Sequence, residues 1–248
     1  MATRLARRHG LRWYNADTRT WAHRDRALLE GNDAALRWES LTPDERGAGS
    51  LPDAELVAMS LTRERGPMVV DDLRRLPASP LTVAEGTVLA PALVADPSRA
   101  VSLIPTPELQ RAWLSKRDGN ANRLYRLLAE QIEREARERA VPILSVDGSR
   151  SIDDTVAAVE GLFEAALAEG PRAASAAERR ALLREANQAI VAQLRDYYAR
   201  PWADGDGETT VRTFLCECGD PSCDAGVVLP VGVVAAAPAL APAHEPAR

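Results

Sequence analysis

The sequence predicts an α/β fold: an open parallel sheet flanked by helices, followed by a small helical and cysteine-bearing module. Three observations predict it. Short apolar runs alternate with amphipathic helical stretches up to about residue 170. Polar residues stand at the carboxyl ends of those runs, where ligands bind in open α/β sheets. Beyond residue 171 the texture changes to a linker, one long helix, three clustered cysteines and a Pro/Ala-rich end. The chain is therefore read as two domains, 1–170 and 171–248.

The opening "MATRLARRHG" reads as a helix, with Met1, Ala2, Leu5 and Ala6 on one side and Arg4, Arg7 and Arg8 on the other. It has no N-cap residue or entering turn. Gly10 stops it, "LRWYN" is a strand, and Asp17 stands at the strand's end. "TRTWAHRDRALLEGNDAALRWESL" is helix interrupted near Gly31, "TPDERGAGSLPD" is a loop, and Asp53 or a residue near it caps "AELVAMSLTRERG". "PMVVDDLRRLP" is helix or turn ending at its proline.

Three buried strands follow: "PLTVAEGTVL" ending in Glu85–Gly86, "RAVSLIPTP" ending at Thr106, and "VPILSVDGS" ending at Asp147. Helices separate them ("TPELQRAWLSKRD" and "NRLYRLLAEQIEREARERA"), and "SIDDTVAAVEGLFEAAL" comes after the third. Beyond the linker "EGPRAASAAE", Leu182, Leu183, Ala186, Ile190, Val191 and Leu194 form the apolar stripe of a long helix.

Composition narrows the function. A net charge of −5 supplies no basic field for nucleic acid or anionic lipid. No apolar run reaches membrane-spanning length, and no h-region follows the N-terminal arginines. Three cysteines within one short stretch are a poor disulfide framework, so a reducing cytoplasm is the expected compartment.

"FLCECGDPSC" gathers Cys216, Cys218 and Cys223 in one tight turn, with His244 following in "APAHEP". Thiolates this close repel one another unless they are protonated or share a cation. A structural Zn²⁺ held by three sulfurs and one imidazole answers that need. The simpler alternative is three reduced thiols beside a tail histidine.

The body resembles the P-loop kinases of small molecules, the nucleoside, nucleotide, gluconate and shikimate kinases. The resemblance covers roughly residues 1–168 and rests on the order of helix, strand with terminal acid, "VAEG", "SLIPTPELQRAWL", an arginine-bearing helix and "VDGSRSIDDTV". It implies a three-layer parallel-sheet body that binds ATP and Mg²⁺ and phosphorylates a small hydroxylated acceptor, without nucleic acid or membrane. Asp17 would accept or orient the acceptor hydroxyl, and Glu85 would hold magnesium through water. Arg111, Lys116, Arg117, Arg123 and Arg126 would belong to a lid that neutralises the transferred phosphoryl group. Asp147, Gly148 and Ser149 would border the adenine.

The sequence departs from that family at its phosphate loop: no G-x-x-x-x-G-K-S/T occurs in it. The family's first strand, central in the sheet, is missing too, and its loss would leave two neighbours unpaired. One explanation is that the reading frame begins upstream and Met1 lies inside the first helix. The other is a degenerate paralogue without nucleotide binding, a non-catalytic interaction protein. The chain as it stands is expected to be inactive.

Simpler roles stand beside these. Asp147 with Ser149, and Ser151 with Asp154, are turn and capping pairs. The arginines over 111–126 suit a solvated face with Glu partners, and His9 and His23 suit the surface. Residues 178–248 also resemble a small actinobacterial module: a helix with "REAN", then F-x-C-E-C-x-D-x-x-C, a strand and a late histidine. Ala243 stands where that pattern has glycine.

Overall fold

Gly10 ends the first helix as its position predicts. It adopts φ 62° and ψ 41°, and its N–H closes on carbonyls of the last turn, a left-handed cap that favours glycine. The computed structural model describes residues 1–47, 51–115, 119–236 and 240. Helix α1 (Ala2–His9) leads into β1 (Arg12–Asn15) and a 3-10 turn, Ala16–Arg19. Four-residue β2 (Thr82–Glu85) comes after α2 (Thr20–Leu29), α3 (Asp33–Ser40), α4 (Pro43–Gly47), α5 (Asp53–Met59) and α6 (Thr62–Arg75). Strand β3 (Ser102–Pro105), α7 (Pro107–Leu114), α8 (Gly119–Glu138) and β4 (Ile143–Val146) follow. Helices α9 (Ile152–Leu162), α10 (Glu164–Glu169) and α11 (Ala176–Tyr198) lead to β5 (Val211–Leu215), β6 (Gly226–Pro230) and α12 (Val231–Ala236).

The strands form three two-stranded sheets. Parallel β1 and β2 pair from Arg12↔Thr82 to Asn15↔Glu85, and parallel β3 and β4 from Ser102↔Ile143 to Pro105↔Val146. Antiparallel β5 and β6 pair from Val211↔Pro230 to Leu215↔Gly226. The chain is thus of mixed helix and strand with short parallel pairs. The strands are less buried than their apolar runs predict: β2 is half-buried throughout, and Leu103 and Ile143 are 38% and 37% exposed. In a two-stranded sheet every strand is an edge, so continuous burial on both faces does not arise.

Two compact units emerge. The first comprises Met1–Ala22, Pro77–Gly86 and Leu167–Arg248, the second His23–Leu76 and Thr87–Ala166. In the first, Val191, Phe214, Val231, Val234 and Leu240 form a core, with Ile190 and Leu194 packed against it. In the second, Ala27, Ala35, Leu61 and Met68 form one apolar cluster, and Leu41, Leu51, Leu56 and Met59 another.

Two local expectations are corrected. The helix expected through "AELVAMSLTRERG" breaks at Leu61, which adopts φ 54° and is fully buried in the second unit's core. That burial outweighs the left-handed penalty of about 1–2 kcal/mol. His23 is not a surface residue: it is 4% exposed, and its Nε2 lies 3.0 Å from Asp72 Oδ2. The interruption at Gly31 (φ 72°) and the Ser151–Asp154 capping box occur as the sequence indicates.

Candidate functional site

The F-x-C-E-C-x-D-x-x-C stretch folds as a knuckle joining β5 to β6. The Cys216 N–H donates to Ala225 O at 3.1 Å, continuing the hairpin. Asp220 Oδ1 accepts from Ser222 N at 2.8 Å and from Ser222 Oγ at 2.7 Å, and the Cys223 N–H reaches Asp220 O at 3.3 Å. These bonds make a tight turn between the second and third cysteines. Gly219 (φ 77°) is required there, because a Cβ would stand 2.6 Å from Ala176 O.

The three sulfurs lie within 4.8 Å of one another and could hold a metal ion. Cys216 and Cys223 are buried and Cys218 is half-buried. A tetrahedral zinc with bonds of about 2.3 Å places its sulfur ligands about 3.8 Å apart, which this cluster can meet. Burial, with the neighbouring thiols, pushes the Cys216 thiol up to about 12. Burial acts in the same direction on Cys218. There it is outweighed by the Asp220 N–H, the Cys223 and Cys216 thiols and the Arg7 charge, so Cys218 is lowered. The fourth expected ligand, His244, lies outside the described residues.

Polar groups from α1 and α11 hold the knuckle from behind. Glu217, between the first two cysteines, is only 2% exposed. Its Oε1 accepts from Asn187 Nδ2 at 2.7 Å and from Arg184 Nη1 at 3.4 Å, and its Oε2 from Leu240 N at 2.9 Å. Fully buried Asn187 also binds both backbone groups of Leu215, accepting its N–H at 2.8 Å and donating to its carbonyl at 2.9 Å. Arg179 donates to Gly219 O at 2.9 Å and Arg180 to Cys218 O at 3.0 Å. Arg7 Nη2 donates to Cys216 O at 2.7 Å, from 209 residues away. The "REAN" of α11 thereby acquires a physical meaning. Arg184 and Asn187 satisfy Glu217, Ala186 is buried, and Glu185 pairs with Arg12 at 3.2 Å.

The same unit carries an acidic edge at the carboxyl ends of β1 and β2. Glu85 ends β2 and its Oε1 accepts from Trp13 Nε1 at 2.8 Å across the pair. Asp17, exposed, lies in the 3-10 turn after β1, where its N–H is capped by Asn15 Oδ1 at 2.9 Å. Gly86 (φ 144°) lets β2 end close to that turn, since a Cβ would meet Ala16 Cβ at 2.7 Å. Burial pushes Glu85 above the usual carboxylate range. The Trp13 hydrogen bond and the positive amino terminus of Met1 pull it down, and the negative charge of Asp17 pushes it up. Glu85 is thus within electrostatic reach of both Asp17 and the amino end of α1.

The remaining candidates belong to the second unit. Exposed Arg111 bonds Glu108 Oε1 at 3.0 Å, one turn back on α7. Arg123 pairs with Asp53 at 2.8 Å, and Arg126 is exposed. Lys116 and Arg117 lie outside the described residues. Asp147 Oδ1 accepts from Ser149 N at 2.9 Å and from Ser149 Oγ at 2.6 Å around Gly148 (φ 84°). These Ser149 bonds hold the Asp147 carboxyl below its ordinary range. Thr106 caps α7 through Leu109 N at 3.4 Å. Among the described residues no helix is long and apolar enough to cross a membrane.

Sequence reasoning missed Arg7, Glu217 and Asn187. Glu217 carried a signal, as an acid flanked by two prospective ligands, and Asn187 one as the last residue of "REAN"; Arg7 carried none. Compared with known proteins, the chain matches no family model, no curated protein and no solved structure.

Proposed function

We propose that the body is the acceptor side of a P-loop-type phosphotransferase for a small hydroxylated molecule, and that the C-terminal module is held by structural zinc. One observation carries the phosphotransferase reading: Glu85, at the carboxyl end of the parallel β1–β2 pair, lies within electrostatic reach of Asp17 and of the amino terminus that opens α1. A helix N-terminus favours phosphate. Asp17 orients or deprotonates the acceptor hydroxyl. Glu85 holds Mg²⁺ through water, and the metal offsets charge on the phosphoryl oxygens. The parallel β3–β4 pair, with Thr106 and Asp147 just beyond its carboxyl ends, supports the same architecture.

The 248 residues contain no phosphate-gripping loop, so they are expected to turn over no ATP. The coding DNA upstream of Met1 tests the reading. An in-frame strand ending in G-x-x-x-x-G-K-S/T is the expected result, and an in-frame stop codon overturns the enzyme.

The cysteine cluster favours a second reading, a non-catalytic protein whose working part is the zinc-held module. Cys216, Cys218 and Cys223 supply three thiolates and His244 the fourth ligand, a closed site without an open coordination position. About one equivalent of zinc is expected in the purified chain, lost when Cys216 and Cys223 become serine. A metal-free protein of unchanged stability removes zinc from both readings.

A further inference from the structure

We propose that Arg7 is the counter-cation of the cysteine knuckle, so that metal loading there fastens helix α1 onto the C-terminal module. This rests on the reading of the knuckle as a zinc site. Arg7 is 6% exposed, and its Nη2 is bound to the carbonyl of a cysteine, Cys216. Its Nη1 is buried and makes no hydrogen bond among the described residues. A buried guanidinium with an unused donor is costly unless an anion faces it. Three thiolates around one divalent zinc leave a net negative charge, which one arginine balances. Arg4, one turn earlier, pairs with Asp224 at 3.1 Å, directly after the third cysteine. Helix α1 therefore grips the knuckle at both ends.

The consequence is a link between the two sites of this unit. Without metal, Arg7 keeps the Cys216 carbonyl but has no anionic centre facing its second nitrogen. With metal, Arg7 is held, and α1 with it. Because α1 runs through the Gly10 cap into β1, zinc occupancy sets the order of the segment that leads to Asp17.

The experiment uses the full 248-residue chain, with zinc affinity measured by competition against a chromophoric chelator. Arg7→Met is expected to weaken zinc binding ~10–100-fold, the range for partners just outside a metal's ligands, and Arg7→Lys to restore part of it by keeping the charge. In wild-type protein, stripping zinc is expected to speed amide exchange over residues 2–9 as well as over the knuckle, while α9 is unaffected. That comparison needs no variant and decides the matter if Arg7→Met fails to fold. Wild-type zinc binding with α1 exchange indifferent to metal, or Arg7→Met affinity within about threefold of wild type, overturns this inference and leaves the zinc reading standing. A wild-type chain that binds no zinc overturns both.

Discussion

At the cysteine knuckle a buried carboxylate, Glu217, meets donors from Asn187, Arg184 and the Leu240 amide. At the carboxyl ends of β1 and β2, Glu85 meets a single indole, and Asp17 lies exposed. Both sites are polar and both belong to the first unit. Their hydrogen bonding separates their roles. Where a buried carboxylate is paired at both oxygens, as Glu217 is, the network fixes one conformation and leaves that group little for a ligand to take up. Where acids are left with few partners at a strand edge, their remaining capacity is available to a substrate or a hydrated cation. The first pattern suits the structural metal site proposed for the knuckle, the second the acceptor site proposed for the acidic edge.

The largest expected effect breaks the knuckle outright. Chelating zinc from the purified protein removes the binding free energy from the folded state, about 4 kcal/mol when free metal stands a thousandfold above Kd. A thermal melt with and without a chelator reads it. Next comes Asn187→Ala. It strips hydrogen bonds from both backbone groups of Leu215 and from Glu217, at ~2–3 kcal/mol for leaving such groups buried and unpaired. Urea unfolding measures the loss, and zinc affinity is expected to fall with it.

A smaller effect sharpens the comparison at the start of α11. There Ser175 and Glu178 form a capping box, with Glu178 accepting from Ala174 N and Ser175 N. Ser175→Ala is expected to cost ~1 kcal/mol, measured against Ser151→Ala in the other unit. The two should match if capping is local, and Ser175→Ala should cost more if α11 also supports the knuckle.

The smallest effect belongs to the acidic edge. The folded Glu85 carboxyl titrates above its unfolded value, so the native state binds more protons between those two values, and stability falls as pH rises through that window. Glu85→Gln is expected to flatten this slope and to be relatively more stable than wild type above it. A pH series of urea midpoints checks the sign. Equal slopes in the two proteins would show that Glu85 is solvated like an ordinary carboxylate.

The features legible in the sequence were those whose cause is local. Gly10 stops a helix because its own backbone prefers the left-handed cap, and Ser151 with Asp154 starts one because both partners sit within a single turn. The cysteine spacing closes a turn on itself, so the candidate metal cluster could be read from ten letters. Tertiary structure decided what depends on distant partners. Arg7 looked like one of three solvent-facing arginines until a carbonyl 209 residues away took its proton donor. His23 was buried by Asp72, and Leu61 was drawn through a left-handed turn by the core around it. Whether a charged side chain faces water or protein is fixed by the free energy of pairing across the fold. Neighbours three or four residues away carry no record of it.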